Sequence, residues 1–275
     1  MYIDFEYADK RLSDLGYVMC HINTESGFRD VVIGCDITFN TVKNNHSSVQ
    51  YITSSSYDSV YSLSFDIMKN PCGQDYEDTY LTVEEVRHLI TWLNRREYRK
   101  LTFISTVETD ENINYYGSFN VKQIMNGNDI VGLSLTFTSN APYGFADPEC
   151  VMFDITHNNE HVYLYGHGDE LGVVYPLIII QPKQDCETFV LMNITTGTTL
   201  ALRNCLKDEV ITIDGEHKVI LTDENKRHSM ICNDFNYEYI DILVQDDDIS
   251  ENIYEVSQPC TITFKYSPIR KVGMY

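Results

Sequence analysis

Apolar and polar residues alternate with a period of two through much of this chain. Ile37 and Phe39 alternate with Asp36, Thr38 and Asn40. Val131, Leu133, Leu135 and Phe137 alternate with Gly132, Ser134, Thr136 and Thr138, and Ile262, Phe264 and Tyr266 repeat the pattern near the end. That period is the mark of half-buried β-strands. Tyr51 to Asp66, rich in Ser, Tyr and Val, reads as a strand pair with a polar turn near Ser54 to Ser56. One segment breaks the rule. Val86, Leu89, Ile90 and Leu93 fall on one face at helical spacing. Thr82 and Glu85 form a capping box, so the helix is expected to begin at Thr82 and run about 15 residues. Arg95 and Arg96 stand at its expected end, where cations suit the helix dipole. Trp92, the only tryptophan, lies beside the stripe and reads as a core or domain-contact anchor.

Turn chemistry punctuates the strands. Asn126-Gly127 is the strongest short hairpin signal. Thr196-Gly197 and Asp214-Gly215 mark two more hairpins, Phe189–Ile194 with Thr198–Leu202 and Val210–Ile213 with Lys218–Thr222. Leu177 to Ile180 is continuously apolar and is expected to be buried on both faces. Tyr237 to Val244 reads as another strand. Asn140-Ala141-Pro142-Tyr143-Gly144-Phe145-Ala146-Asp147-Pro148 holds two prolines and a glycine and reads as a domain boundary. The expected division is 1–145 and 146–275. The fold class is mainly β: a first domain with one helix and a hairpin, then a β-sandwich or jelly roll.

Composition narrows the functions. The 275 residues, 43% of them apolar, suffice for one large β domain or two ordinary ones. Twenty Lys and Arg against 41 Asp and Glu give a formal charge of −21. That balance argues against gripping nucleic acid or an anionic membrane. The eight cysteines are scattered without a CxxC pair, and no secretory signal opens the sequence. They read as reduced, mostly buried thiols of a soluble protein made in a cytoplasm. The longest apolar run, Val173 to Ile180, falls far short of the ~20 residues that span a bilayer.

No motif carries catalysis. His157, His161 and His167, with Asp169 and Glu170, could supply zinc ligands, but the segment is turn-like and polar loop histidines are the favoured reading. Asp246-Asp247-Asp248 reads as a solvated turn, with calcium the lesser reading; its spacing is not that of an EF-hand. Neither a nucleophile elbow nor a phosphate-binding glycine loop occurs. Asn193-Ile194-Thr195 fits a glycosylation sequon that a cytoplasmic chain would not use. Twenty tyrosines suit interfaces and cores. Tyr163, Tyr165, Tyr237 and Tyr239 could stack on sugar rings, although strand packing is the favoured reading. No catalytic, cofactor-binding or metal-ligating residue is assigned, and no cofactor is expected.

Several stretches together resemble the distal tail protein (Dit) family of tailed phages and prophages, of the siphovirus type. They are Arg11-Leu12-Ser13-Asp14-Leu15-Gly16-Tyr17, Thr82-Val83-Glu84-Glu85, Trp92-Leu93-Asn94-Arg95-Arg96 with Tyr98 to Phe103, and Gly117-Ser118-Phe119-Asn120-Val121. Leu135 to Phe145 looks like the family's exit from its first domain. Asp169-Glu170-Leu171-Gly172 with Tyr175-Pro176, Glu209 to Asp214, Asp234-Phe235-Asn236-Tyr237 and Tyr266-Ser267-Pro268-Ile269 carry the likeness through the second half. These are fold signatures, so no active-site residue is carried over. The resemblance implies a split-barrel-like first domain, 1–145, that builds a ring and docks on the tail tube, and a peripheral galectin-like β-sandwich, 146–275. It implies a hexameric baseplate hub at the virion tail tip, made in the bacterial host's cytoplasm. Its partners would be itself, the tail tube protein, the tape-measure protein and the tail-associated adhesin or lysin. DNA would pass through the lumen without specific binding during ejection.

Two other readings compete. One is a carbohydrate-binding module that contacts a host surface glycan through the C-terminal sandwich during host attachment. The other is an enzyme such as a two-carboxylate glycosidase, whose residues cannot be picked from so acidic a background. The charge favours the ring. Six copies would carry six times −21, or −126. Carboxylates lining a lumen repel duplex DNA, with its charge per ~1.7 Å, so the genome slides without sticking. Only charges within about 10 Å of the DNA count at 0.1 M salt. Replacing lumen-facing first-domain carboxylates by lysine is therefore expected to slow DNA ejection while assembly survives; an unchanged ejection rate contradicts the idea.

Overall fold

The computed structural model describes residues 2–20, 34–43, 49–72, 79–105, 111–223, 228, 230–245 and 250–271, with side chains from residue 4. The chain is mainly β and divides into two compact units, Met1–Ala146 with Arg270–Tyr275, and Asp147–Ile269.

The first unit contains β1 (Tyr2–Tyr7), β2 (Lys10–Arg11), β3 (Tyr17–Cys20), β4 (Ile37–Lys43), β5 (Gln50–Tyr57) and β6 (Ser62–Lys69). After these come α1 (Val83–Leu93), β7 (Arg99–Ser105), β8 (Asn114–Asn126), β9 (Asp129–Ser139) and β10 (Gly144–Phe145). Its main sheet runs β2-β1-β7-β8-β9-β6-β3. The long β8–β9 hairpin is held in register from Gly117↔Ser139 to Asn126↔Asp129, with one irregularity at Ile124/Met125. Its turn is the Asn126-Gly127 step, where Gly127 takes φ +62°. That left-handed value is what the hairpin turn demands.

The capping box at the start of α1 is complete. Thr82 Oγ1 accepts from Glu85 N at 3.3 Å, and Glu85 Oε2 accepts from Thr82 N at 2.7 Å. The helix is shorter than its pattern suggested. It stops at Leu93 because the next residues are bound to β8: Asn94 Nδ2 donates to Phe119 O and Arg95 N donates to Ser118 Oγ. Arg95 and Arg96 therefore lie beyond the helix. The buried stripe is Val86, Leu89, Trp92 and Leu93, and Ile90 is left exposed. Trp92 takes the place of Ile90 because its Nε1 donates to Tyr7 O at 2.9 Å and its ring stacks on Phe5 at 5.8 Å. Phe65, Phe103, Phe119 and Phe137 complete this aromatic core. The Arg11–Tyr17 stretch is tied down by buried Asp4, which accepts from Arg11 Nε at 2.5 Å and from Ser13 N at 3.2 Å.

The second unit holds β11 (Glu149–Asp154), β12 (Glu160–Gly166), β13 (Gly172–Val174), β14 (Leu177–Pro182), β15 (Cys186–Asn193) and β16 (Thr199–Cys205). These are followed by β17 (Ile211–Asp214), β18 (Val219–Thr222), β19 (Ile242–Val244), β20 (Ser250–Val256) and β21 (Cys260–Tyr266). The short strand β22 (Ile269–Arg270) enters the first unit at Arg270 and pairs there with β10. Arg270 there makes a two-pronged ion pair with Glu111, at 2.6 and 3.0 Å. One sheet runs β11-β21-β14-β17-β18 and the other β12-β20-β15-β16, with β13-β19 as a separate pair. Ile178, Ile180, Phe189, Leu191, Leu200, Leu202, Ile262 and Phe264 are among the residues that fill the core of this β-sandwich.

Some local expectations need correction. Leu177 and Ile179 are only half-buried, because β14 turns one face to the core and one outward. Residues 237–241 are irregular: Tyr237 takes φ +60°, and only Ile242–Val244 forms a strand. Side chains hold this segment instead of a ladder. Tyr254 Oη donates to Asp241 O at 2.8 Å, Asn193 Nδ2 to the same oxygen at 3.0 Å, and Asn252 bonds both Leu243 N and Leu243 O. The eight cysteines are free, but only Cys205 and Cys260 are buried.

Two outcomes test these packing arguments. A Cβ on Gly117 would sit 2.2 Å from Thr138 O and 2.5 Å from the buried Phe137 ring. Gly117→Ala is expected to cost about 3 kcal/mol in chemical denaturation, the upper range of an overpacked core; a change below 0.5 kcal/mol contradicts the contact. The second concerns Glu85. Burial opposes its charge, but hydrogen bonds from Lys69 and Thr82 outweigh burial and hold its carboxyl below the ordinary value of 4.5. A depressed pKa gives stability that is full above the unfolded value and lost as pH falls through the folded one. Glu85→Gln should lower the melting temperature at pH 7, and the gap to the parent should close as pH drops below about 4.3.

Candidate functional site: an exposed β-arm

The ribbon β4–β5 is the feature of the first unit that its own packing does not explain. The two strands pair only with each other among the described residues. The register runs Ile37↔Tyr57, Thr38↔Ser56, Phe39↔Ser55 and Asn40↔Ser54, then shifts, and resumes at Thr41↔Ile52, Val42↔Tyr51 and Lys43↔Gln50. The shift leaves Thr53 as the extra residue, and its Oγ1 donates to Asn40 O at 2.9 Å. Such a bulge bends and twists a ribbon. Polar rungs hold the pair: Asn40 Nδ2 to Ser54 Oγ at 3.0 Å, Thr41 Oγ1 to Gln50 Oε1 at 3.0 Å, and Thr38 Oγ1 to Asp58. Asp58 N closes the base on Asp36 O at 2.9 Å.

This overturns the sequence reading of Ile37 and Phe39 as the inner face of a half-buried strand. Every residue of β4 is exposed. The alternation places Ile37, Phe39 and, through the register, Ile52 on one face of the ribbon. Phe39 is 54% exposed and Ile52 63%. Val42 and Tyr51 stand opposite each other on the other face, equally open. Nor is there a turn at Ser54 to Ser56, which lie inside β5 and face Asn40 and Thr38 across the ladder. The period-two signal was right about the strand and silent about what covers it.

The other sequence candidates do not converge. His157 Nδ1 lies 2.9 Å from Thr156 Oγ1, His161 Nε2 lies 3.7 Å from Glu255, and His167 Nε2 lies 2.5 Å from Glu149. Each histidine has its own partner. Among the described residues no group of three His, Cys, Asp or Glu could hold a metal. Asp246, Asp247 and Asp248 lie outside the described residues. Asn193 of the sequon is fully buried, and its Oδ1 accepts from Thr195 N at 2.9 Å, so it serves a turn. Tyr163 and Tyr165 are exposed on β12, at one edge of the four-stranded sheet. Tyr237 and Tyr239 follow Phe235, which bridges to Leu202 of β16 at the other edge. Tyr239 packs on Phe235 at 5.2 Å, and Lys218 Nζ lies over its ring. The four tyrosines make no shared platform.

One polar cluster escaped sequence reasoning. Buried Glu209 takes hydrogen bonds from Leu206 N and Thr222 Oγ1 and lies 2.8 Å from His228 Nδ1. His228 Nε2 stands 3.3 Å from Asp234 Oδ2, without hydrogen-bond geometry. Asp234 also accepts from Asn204 Nδ2 at 2.9 Å. Nineteen residues separate Glu209 from His228, so no local spacing could reveal the pair. Its bonds join the chain on either side of β17–β18 to the end of β16, and among the described residues neither His228 nitrogen has a serine or cysteine partner. The arrangement fixes loops.

Comparison with known proteins agrees with the architecture. Residues 1–141 match the family model of a phage tail protein N-terminal domain, and residues 143–266 that of a phage tail C-terminal domain. No curated protein matches the sequence. The crystal structure of the Dit protein of phage SPP1 superimposes with a TM-score of 0.66 at 16% identity, over 97% of this chain and 99% of that one. That protein is described as a paradigm of the hub adsorption apparatus in phages that infect Gram-positive bacteria. An aromatic-cored β unit with one α-helix among the described residues, a β-sandwich, and family models that cover both halves lead to one assignment: the chain belongs to a family of phage tail proteins and has the Dit fold.

Proposed function

We propose that this protein is the distal tail hub of its phage, a structural component that closes into a six-membered ring at the tail tip. One observation carries the reading. The β4–β5 arm exposes Ile37, Phe39, Val42, Tyr51 and Ile52 on a two-stranded ribbon. An isolated ribbon of two strands is marginal in water. Burying each large apolar side chain stabilises by about 1.5–3 kcal/mol, so seating the arm is strongly favoured. The occupant we assign is a second copy of this chain. The arm of one copy meets a different surface on the next, and such a head-to-tail contact repeats until the rotation closes a ring.

In this reading the first unit builds the ring and docks on the tail tube. The second unit projects toward the tail-associated adhesin or lysin, and the tape-measure protein ends at the hub. The subunits are made and assembled in the host cytoplasm. DNA passes through an electronegative lumen and is held by no residue. In this reading the protein is structural and turns over no substrate; His228 with Glu209 holds loops, and His161 and His167 pair with separate carboxylates.

The test is assembly. Purified full-length protein is expected to elute as a ring-sized species in size-exclusion chromatography with light scattering. Phe39→Asp combined with Ile52→Asp should yield monomers whose melting temperature stays within about 2 °C of the parent monomer, because these side chains contribute little to the unit's own core. A double variant that still forms rings, or a parent that is monomeric at all concentrations, overturns the proposal.

A further inference from the structure

The sandwich contains a cysteine pair set face to face across a hairpin. Cys186 opens β15 and Cys205 closes β16, and the register sets the two directly opposite each other. Directly opposed residues of an antiparallel pair have Cα atoms about 4.5 or 5.5 Å apart. Disulfides bridge Cα separations of about 4.4–6.8 Å, so either pairing type admits a bond without backbone movement. Both thiols are free, and their exposure differs: Cys205 is buried in the sandwich core, whereas Cys186 is partly open at its margin. The remaining cysteines lack this geometry. Cys150 stands opposite Lys265, Cys260 opposite Pro182 and Cys20 opposite Asp66, while Cys35, Cys72 and Cys232 lie outside the strands.

We propose that Cys186 and Cys205 form a thiol–disulfide site, with Cys186 the thiol that is oxidised first and Cys205 the thiol that resolves it. The local chemistry agrees. The adjacent Cys205 thiol holds Cys186 below the ordinary thiol range, against burial and the opposing charges of Asp185 and Glu209. The neighbouring Cys186 and burial keep Cys205 protonated, and its Sγ donates to Arg203 O at 3.9 Å. Burial instead pushes Cys20 up to about 11 and Cys260 up to about 12. A low-pKa, accessible thiol beside a resolving partner is the pattern of a redox-sensitive site.

The oxidant is a peroxide. The Cys186 thiolate attacks one oxygen of hydrogen peroxide, the O–O bond breaks, and hydroxide leaves, giving a sulfenic acid. Cys205 then attacks the sulfenic sulfur; the S–S bond forms, and the hydroxyl leaves as water with the Cys205 proton. In sum two thiols and one peroxide give one disulfide and two waters, with two electrons passing from sulfur to oxygen. The bond would join the two ends of the β15–β16 hairpin, where β16 is an edge strand of its sheet. Disulfides persist outside the reducing cytoplasm, so the staple suits a subunit that works on a released particle. That use rests on the tail assignment, but the chemistry does not.

The test treats the intact full-length protein with hydrogen peroxide, alkylates the remaining thiols and maps the peptides by mass spectrometry. A Cys186–Cys205 crosslink and a fall from eight titratable thiols to six in denaturant are expected. Cys186→Ser should leave Cys205 as a free thiol. Cys205→Ala should leave a Cys186 sulfenic acid that dimedone traps, and should slow alkylation of Cys186 at pH 7 by about tenfold, as loss of the neighbouring thiol requires. Circular dichroism confirms that both variants fold. Oxidation confined to the exposed Cys72, Cys150 and Cys232, or alkylation of Cys186 unaffected by Cys205→Ala, overturns the proposal. The assay reads neither ring formation nor tail assembly, so its failure is distinct from failure of the hub assignment.

Discussion

Burial of the β4–β5 ribbon is the constraint from which the functional account follows. Both units close their own cores, around Trp92, Phe5 and Phe119 in the first and around Phe189, Leu191 and Phe264 in the second. The ribbon does not. It has outer edges unpaired among the described residues and apolar side chains on both faces. Exposed strand edges are templates for pairing with another chain, and natural proteins blunt or cover them. A chain with 41 acidic and 20 basic side chains also repels its own copies. Assembly of such subunits needs a specific attractive contact strong enough to outweigh that repulsion, and the ribbon is the contact we propose.

The polar groups inside the sandwich support the same division of labour. Asn193, Asp241, Asn252 and Tyr254 interlock to hold an irregular segment, and Glu209 with His228 holds another. Buried polar groups are costly unless partnered, and these are spent on loop geometry. The residues behind the resemblance to tail hubs behave alike. Asp234 bonds Asn204 and Asn236 bonds Ala201, both of β16, Glu209 fixes the turn before β17, and Thr82 and Glu85 start the helix.

Much of that shape was legible in the residues. The capping box located the helix start, and the Asn126-Gly127, Thr196-Gly197 and Asp214-Gly215 turns located three hairpins. What failed was the surroundings of each element. Ile90 and Trp92 both lie near the helix stripe, and contacts distant in sequence, the Tyr7 carbonyl and the Phe5 ring, decide which is buried. Ile37 and Phe39 alternate like core residues, yet no period distinguishes a face covered by its own chain from one awaiting a partner. The Cys186–Cys205 and Glu209–His228 pairs depend on register and loop closure across 19 residues each, so composition could only scatter them.

The central claim is that the ribbon closes copies of this chain into a ring. Negative-stain electron microscopy of the purified full-length protein tests it most directly. The account predicts closed particles with six-fold symmetry and a central hole. A field of single, separate subunits at micromolar concentration, or open filaments without closure, would contradict it.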